Sequence, residues 1–402
     1  MYDQIRENAL FIILYTAVTV MAAIASCYLL LRRGNAFAAD VTPPLRLRRW
    51  ASAFLAFVAL GHIWYMSIFF LSSEEDIVLF DMLGGLIDCM TFFPLSIVIM
   101  LTMLQDRRRP LWPVAVAFAP PVVINAYDVA TRNYDFLVVE YVYFLLLCIG
   151  LIVYMVYAVQ QYGRWLRDNY ADLEHKEVWQ SFVVLAVIML TYVFYAMTIK
   201  GTVYIYALLA ISAALIGYLL WRVETLSDLS IKSPDDLQMD DSQMDDSQID
   251  ELQIEGDDSD SSAIQTDETP SSDRNRSTLA ALQAKNIGPL LKQYCEEPQL
   301  YLQYDLTLVE LAKAVGTNRS YLSKHFALQG ITYNAYINGL RIKHFVNLYH
   351  EAVATQQPVT AQQLAYQSGF HSYTTFSIAF KKIMGMNTTE WMRETLNTNT
   401  ER

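Results

Sequence analysis

The sequence has few charged residues and few cysteines for its length. Charged residues make up 17% of the 402 positions, whereas hydrophobic residues make up 54%. A soluble globular protein rarely combines such apolarity with so little charge. The four cysteines have no metal-ligand or redox spacing, so the sequence predicts neither a disulfide framework nor a cysteine zinc site. No Gly-rich phosphate loop or catalytic constellation occurs, so we expect no enzyme, no metal and no cofactor.

Basic residues are absent from positions 235–273, where there are 15 Asp or Glu residues. Four consecutive pentads, DDLQM, DDSQM, DDSQI and DELQI, fill positions 235–254. A five-residue period matches neither a helix nor a strand, and like charges with little apolar surface oppose folding. The sequence therefore predicts a disordered acidic linker over 226–275.

Long apolar runs fill the first half of the chain. A helix needs about 20 apolar residues to cross the hydrocarbon of a bilayer. Such runs predict a seven-helix transmembrane bundle over residues 1–225, and hence a lipid membrane as a partner. The seven predicted spans are 9–31, 50–71, 80–104, 111–128, 137–159, 179–199 and 202–221.

Basic residues in the connecting loops predict the orientation of this bundle. Eleven Lys or Arg residues lie in the loops 32–49, 105–110 and 160–178, against three in the intervening segments. Basic loops stay on the cytoplasmic side. We therefore expect an N-terminus outside the cell, a cytoplasmic C-terminus after seven crossings, and a location in the cell membrane.

Three ionisable residues lie within the predicted spans: His62, Asp88 and Glu140. Charges at membrane depth are costly and usually face a bundle interior or a water-filled cavity. Two interpretations stay open at this point. Each residue is satisfied by a polar partner on a neighbouring helix, or the three take part in sensing a ligand or an ion.

A repeat marks the region 276–402, which is basic, with 13 Lys or Arg and 8 Asp or Glu from Arg274 onward. The segment 307–316, TLVELAKAVG, recurs 53 residues later as 360–369, TAQQLAYQSG. Each copy opens with a capping-box pattern, Thr followed three residues later by Glu or Gln, and ends in a glycine suited to a left-handed turn. A second helix with one polar face follows each glycine. This order is typical of a helix-turn-helix, whose second helix enters the DNA major groove.

Residues 285–395 closely resemble the AraC/XylS family of bacterial regulators. The resemblance lies in Leu311-Ala312 through Gly316, in YLSKHF at 321–326, in Leu340-Arg341-Ile342, and in Gly369-Phe370 through Phe380-Lys381-Lys382. It implies an all-helical domain with two helix-turn-helix units on successive major grooves of double-stranded DNA. Carried over by position, the implied DNA-binding residues are Arg319, Ser320, Ser323 and Lys324 in the first unit, and Tyr373, Thr374, Thr375, Ile378, Lys381 and Lys382 in the second.

The sequence departs from the family pattern at three places. Thr388 stands where the family usually has proline, and about five extra residues surround 356–358. Ile378 occupies a position that is often polar or basic. This weakens hydrogen-bonded readout there, although isoleucine suits contact with a thymine methyl group.

Together these patterns predict an all-α, membrane-anchored, sequence-specific transcription regulator, a one-component sensor that couples a membrane signal to gene expression. Two alternatives remain: a transporter or receptor with an appended DNA-binding domain, and a regulator released by proteolysis. The linker is either a solvated tether or a mimic of nucleic-acid charge that competes with DNA for the basic domain. A small ligand, a membrane-protein partner and a homodimer are left open.

Overall fold

The computed structural model describes residues 9–32, 35–38, 41–71, 73–133, 136–187, 202–229 and 287–400. Within these ranges every regular element is a helix, which confirms the all-helical expectation for the described chain. The pentads 235–254, and all of the predicted linker except 226–229, lie outside the described residues. Contacts divide the chain into two compact units, Met1–Gly163 with His175–Lys232, and Arg164–Glu174 with Ser233–Arg402.

The first unit is built from long apolar helices. They are α1 Ala9–Leu31, α2 Leu45–Met66, α3 Glu74–Met90, α4 Phe92–Met103, α5 Trp112–Thr131, α6 Leu137–Asn169 and α7 Thr202–Thr225. The last residues of α6 belong to the second unit. A further helical run covers 179–187, and residues 188–201 lie outside the described residues.

Among the described residues, five helical stretches are long and apolar enough to cross a membrane, with α3 and α4 taken together as one of them: Ala9–Leu31, Glu75–Met103, Trp112–Thr131, Val138–Asn169 and Tyr206–Thr225. Helix α2 is long enough, but its arginine-rich first turns and His62 lower its mean hydropathy. The predicted span 179–199 is only partly described. The count of seven spans therefore stays a prediction.

Three predicted span boundaries differ from the structure. Helix α2 begins at Leu45 rather than near residue 50, so arginines expected in a loop lie in its first turns, and buried Arg48 donates to the carbonyl of Arg32. The third span is interrupted at Thr91, because Pro94 has no N–H to donate to the preceding turn. Helix α6 continues ten residues beyond the predicted end at 159.

Helices α1 and α2 approach closely through small side chains. Ala22, Ala25 and Ala51 are almost fully buried. The hydroxyl of Ser26 donates to the carbonyl of Ser52 at 2.8 Å, and that of Ser52 donates to the carbonyl of Ser26 at 2.9 Å. Small residues and reciprocal hydrogen bonds are the usual means by which helices associate in an apolar surrounding.

The second unit contains two small cores joined by one helix. After a π-turn at Lys292–Glu296 and a 3-10 turn at Leu300–Leu302 come α8 Leu308–Val315, α9 Arg319–Leu328, α10 Tyr333–Ala354, α11 Ala361–Gln367, α12 Tyr373–Met384 and α13 Thr388–Thr400. Helix α10 contributes Ile337 to the first core and Phe345 to the second, and both are fully buried. The extra residues around 356–358 lie in the loop between α10 and α11. Thr388 is the first residue of α13, a position at which proline is favoured.

Candidate nucleic-acid interface

Helices α8 and α11 begin with the same local construction. Thr307 accepts from the backbone N–H of Glu310 at 3.3 Å, and the Glu310 carboxylate accepts from the backbone N–H of Thr307 at 2.8 Å. Thr360 and Gln363 make the same two bonds at 3.2 and 3.1 Å. Both predicted capping boxes are therefore confirmed, and each satisfies amides that the first helical turn leaves free.

A glycine turn follows each of these helices, and a capped second helix follows each turn. Gly316 and Gly369 have φ of +74° and +85°, the left-handed conformation that glycine adopts without steric cost. Asn318 then caps α9 by accepting from Tyr321 N at 2.9 Å, and Ser372 caps α12 by accepting from Thr375 N at 3.2 Å. Each of the two capped helices is thus followed by a glycine turn and a second capped helix.

The predicted DNA-binding residues lie on α9 and α12, away from the cores that Phe326 and Phe376 fill. The first of these second helices exposes Ser320 and Lys324, and the second exposes Thr374, Ile378, Lys381 and Lys382. Ile378 is 67% exposed, an unusual position for a large apolar side chain. Arg319, Ser323, Tyr373 and Thr375 are half-buried.

Three of the half-buried residues already have a partner. The Tyr373 ring packs against Phe376, with centroids 5.6 Å apart, so part of its surface supports the core. Arg319 Nε donates to Asn169 Oδ1 at 3.0 Å, and Thr375 Oγ1 donates to Glu174 Oε2 at 3.2 Å. Both acceptors belong to the short segment Arg164–Glu174 of the same compact unit.

Arg341 on α10 links the two halves, a role that the sequence did not predict. Its side chain is fully buried, and its guanidinium donates to the carbonyls of Tyr301 at 2.8 Å and Gln303 at 2.7 Å. The guanidinium carbon lies 5.6 Å from the ring centre of Phe370 in the second half. Burial lowers the pKa of Arg341 to about 10, which leaves it charged at neutral pH. An arginine flanked by Leu340 and Ile342 was the available signal for this buried position.

The turn at Gly369 packs directly on the 3-10 turn of the first half. A Cβ atom added at Gly369 would lie 2.6 Å from the Leu302 carbonyl oxygen. The rings of Tyr304 and His371 stack beside it, with centroids 5.1 Å apart. Because both contacts join the two halves, they fix how α9 and α12 are placed relative to each other.

The ionisable residues of the apolar unit each have their own partner. The ring of His62 lies 5.1 Å from that of Tyr15. Asp88 accepts from Tyr65 Oη at 2.9 Å, and Glu140 accepts from Asn125 Nδ2. The Asn125 amide also lies 3.8 Å from Cys89 Sγ, the residue that follows Asp88 in sequence. The polar partners expected on neighbouring helices are thus present for Asp88 and Glu140.

Comparison with known proteins agrees with the geometry of the C-terminal unit. Residues 311–394 match the family described as "Helix-turn-helix domain", of the AraC type. This part of the chain therefore matches a helix-turn-helix DNA-binding domain.

The chain is also similar to proteins that are named as transcriptional regulators. An uncharacterized HTH-type transcriptional regulator of Staphylococcus aureus is 34% identical over 94 residues, and similar regulators of strains MRSA252 and COL are 34% and 33% identical over 92 residues. The aligned part is 23% of this chain and 12% of each relative. The likeness thus concerns less than a quarter of this chain. No solved structure matches the chain.

Proposed function

We propose that the chain is a membrane-anchored, sequence-specific transcription regulator that couples a signal received by its apolar half to gene expression. The observation that carries this proposal is the pair of capped second helices, α9 and α12. The described part of the chain also contains five helical stretches that are apolar enough to cross a membrane. The names of the Staphylococcus aureus relatives support the regulatory role.

Both helix pairs read DNA in this proposal. The N-terminal residues of a recognition helix contact base edges, and these are Arg319, Ser320 and Ser323 on α9, with Tyr373, Thr374 and Thr375 on α12. Lys324, Lys381 and Lys382 add positive charge for phosphates, which supplies much of the affinity for DNA. Arg341 and Gly369 fix the position of one helix pair relative to the other. If the pairs bind successive major grooves, the operator has two half-sites about 10 base pairs apart.

Contacts between the basic loops and the residues at the end of α7 support seven crossings with a cytoplasmic C-terminus. Residues of all three basic loops contact the exit of α7: Asn35 Nδ2 donates to Glu224 O at 2.6 Å, Gln105 Nε2 donates to Ser227 O at 2.9 Å, and Ser227 N donates to His175 O at 2.8 Å. If α1 and α7 end on the same side, the number of crossings is odd. Basic loops favour the cytoplasm for that side.

The apolar half is the receiver of the signal in this proposal. Asp88 and Glu140 are bound to Tyr65 and Asn125, and a small ligand or a membrane-protein partner that competes for these side chains changes the packing of α3, α5 and α6. A polar side chain at membrane depth is where such a ligand finds hydrogen bonds. Association of two copies would place two DNA-binding domains on one operator.

Recovery of DNA from cells tests the regulator and its anchoring together. The tagged full chain is expressed, membranes are washed with alkaline carbonate, and crosslinked DNA is sequenced. We expect the full-length chain in the membrane and DNA enriched at a few sites, with enrichment lost in an Arg319→Ala, Lys324→Ala double variant. Unselective DNA recovery contradicts sequence-specific binding. A soluble C-terminal fragment that carries the enriched DNA supports release by proteolysis instead of anchoring.

A further inference from the structure

A short acidic segment docks on the DNA-binding domain. Residues 169–174, NYADLE, begin at the last residue of α6 and group with the C-terminal domain in one compact unit. We propose that this docking segment holds both recognition helices, so that docking and DNA binding exclude each other. The proposal rests on the proposed function, since it requires that α9 and α12 bind DNA.

The backbone of the docking segment is integrated into the first core. Ala171 is fully buried in the cluster that contains Leu306, Leu308 and Ile337. Tyr170 forms an antiparallel bridge with Thr307, the capping residue of α8. A side chain buried at 0% exposure and a bridge to a helix cap are features of a packed interface rather than of a passing loop.

Two asparagines of α10 recognise the backbone of the docking segment. Asn334 Nδ2 donates to the Ala171 carbonyl at 2.6 Å, and Asn338 Nδ2 donates to the same oxygen at 3.2 Å. Asn338 is itself buried. A buried amide left without a partner is costly, so these two side chains favour the docked segment.

The two ends of the docking segment form hydrogen bonds with the recognition helices. Asn169 accepts from Arg319, the first residue of α9, and Glu174 accepts from Thr375, in the first turn of α12. The N-terminal ends of recognition helices are the parts that contact base edges. DNA seated on both helices therefore has to displace Asn169 and Glu174.

Charge makes the docking segment a suitable competitor of DNA. Residues 168–174 include Asp168, Asp172 and Glu174 and no Lys or Arg. These acidic residues belong to the same compact unit as the basic C-terminal sequence. Arg319, which is predicted to bind DNA, donates to Asn169 of the docking segment. The docking segment continues α6 directly along the chain. A movement of α6 in the apolar half can therefore be transmitted to the docking segment through the backbone.

Substitutions in the docking segment test the proposal without altering a DNA-binding residue. The full chain is reconstituted in nanodiscs of bacterial lipid, and its affinity is measured for the operator recovered from cells. Each of Asn169→Ala and Glu174→Ala removes one hydrogen bond to a recognition helix, worth about a 2- to 10-fold change in the docking equilibrium. Apparent affinity scales with the undocked fraction, so we expect DNA binding about 2- to 10-fold tighter for each variant, and tighter still for the double variant.

Glu177→Ala is the matched control. It removes the same charge three residues further on, where the carboxylate accepts from Trp179 Nε1 at 2.9 Å within the other compact unit. We expect its DNA affinity to equal that of the unaltered chain. A merely structural segment predicts the opposite sign, with weaker DNA binding in the double variant than in the control. Unchanged or weaker binding in the double variant overturns the proposal.

Amide exchange of the full chain gives a second readout. Saturating operator DNA should speed exchange in peptides that cover 165–174, because mutual exclusion acts in both directions. The double variant should show this faster exchange without DNA. Failure of the unaltered chain and of the double variant to bind any operator overturns the proposed function. DNA binding with unchanged exchange at 165–174 overturns the docking proposal alone.

Discussion

The buried guanidinium of Arg341 lies 5.6 Å from the ring centre of Phe370 while its Nε donates to the Tyr301 carbonyl at 2.8 Å. These contacts join three parts of the C-terminal domain, namely α10, the turn before α8 and the turn before α12. A fixed spacing between two recognition helices sets the spacing of the half-sites that they read. We therefore expect Arg341 to affect DNA recognition, although it lies outside the surface that is predicted to contact DNA.

We expect Arg341→Met to uncouple the two halves. The variant leaves the carbonyls of Tyr301 and Gln303 without their donor, and hydrogen bonds to charged groups are worth about 1.5–3 kcal/mol each. Amide exchange of the full chain should show a local stability about 3–5 kcal/mol lower around 300–304 and 369–372. Exchange at these positions equal to that of the unaltered chain would show that Arg341 is not a link.

Gly369 and Gly385 have the same backbone conformation but different surroundings. Comparing alanine substitutions at the two positions distinguishes backbone strain from a steric clash with a neighbouring turn. Gly369 and Gly385 have φ of +85° and +78°, but only Gly369 has a backbone atom within 3 Å of an added Cβ. We expect Gly385→Ala to lower domain stability by about 1 kcal/mol, the cost of a left-handed alanine. Gly369→Ala should cost about 2–4 kcal/mol, since the turn at Leu302 must also move. Equal losses in the two variants, measured by amide exchange, would exclude close packing at Gly369.

The local features of the DNA-binding domain could be predicted because they depend on neighbours in sequence. A capping box joins residues three apart, and Thr307, Thr360, Gly316 and Gly369 all fulfil their predicted roles. Hydrogen bonds between residues far apart in sequence have no comparable sequence pattern. Arg341 reaches a carbonyl 40 residues away, and Arg319 reaches Asn169 at a separation of 150. Nothing in the sequence near either residue specifies those acceptors.

Lys324 lies exposed on α9 and is predicted to contact DNA. We expect Lys324→Ala in the full chain to weaken operator binding, by about 1–3 kcal/mol if the ammonium group contacts a base edge. A phosphate contact instead weakens binding to all sequences and lowers the slope of log affinity against log salt by about 1. Titrations at three salt concentrations with operator and unrelated DNA distinguish the two. Lys313→Ala, on the first helix α8, is the control, and an equal loss there would remove Lys324 from the interface.

Ile378 is predicted to contact a thymine methyl group. Its exposed side chain would be covered by DNA, and each buried methyl or methylene group is worth about 0.8 kcal/mol. We expect Ile378→Ala to weaken binding by about 1–2 kcal/mol, with Ile383→Ala on the same helix near neutral. Uracil in place of the contacted thymine should weaken the unaltered chain but not the Ile378→Ala variant. Additive losses in this double-mutant cycle would exclude the contact.

Helix boundaries in the apolar half were harder to predict than the existence of helices. Hydropathy places an apolar run but not its ends, because backbone hydrogen bonds continue into polar residues where they are satisfied. Arg48 remains helical since its side chain reaches the Arg32 carbonyl. The break at Thr91 depends on Pro94, whose effect is local and could have been predicted.

We predict the orientation of the apolar half from the loops that contact the residues after α7. Green fluorescent protein fused after Leu229 should fluoresce, and alkaline phosphatase fused there should be inactive, because the basic loops 32–49, 105–110 and 160–178 favour the cytoplasm. Fusions at Arg132, between α5 and α6, should give the reverse result. The matched pair controls for expression, since both reporters are placed at both positions. Active phosphatase after Leu229 would place the DNA-binding domain outside the cell and contradict the proposed function. Activity of the same reporter at both positions would instead show that α6 and α7 end on opposite sides of the membrane. That result would contradict the contact between the residues that follow these two helices.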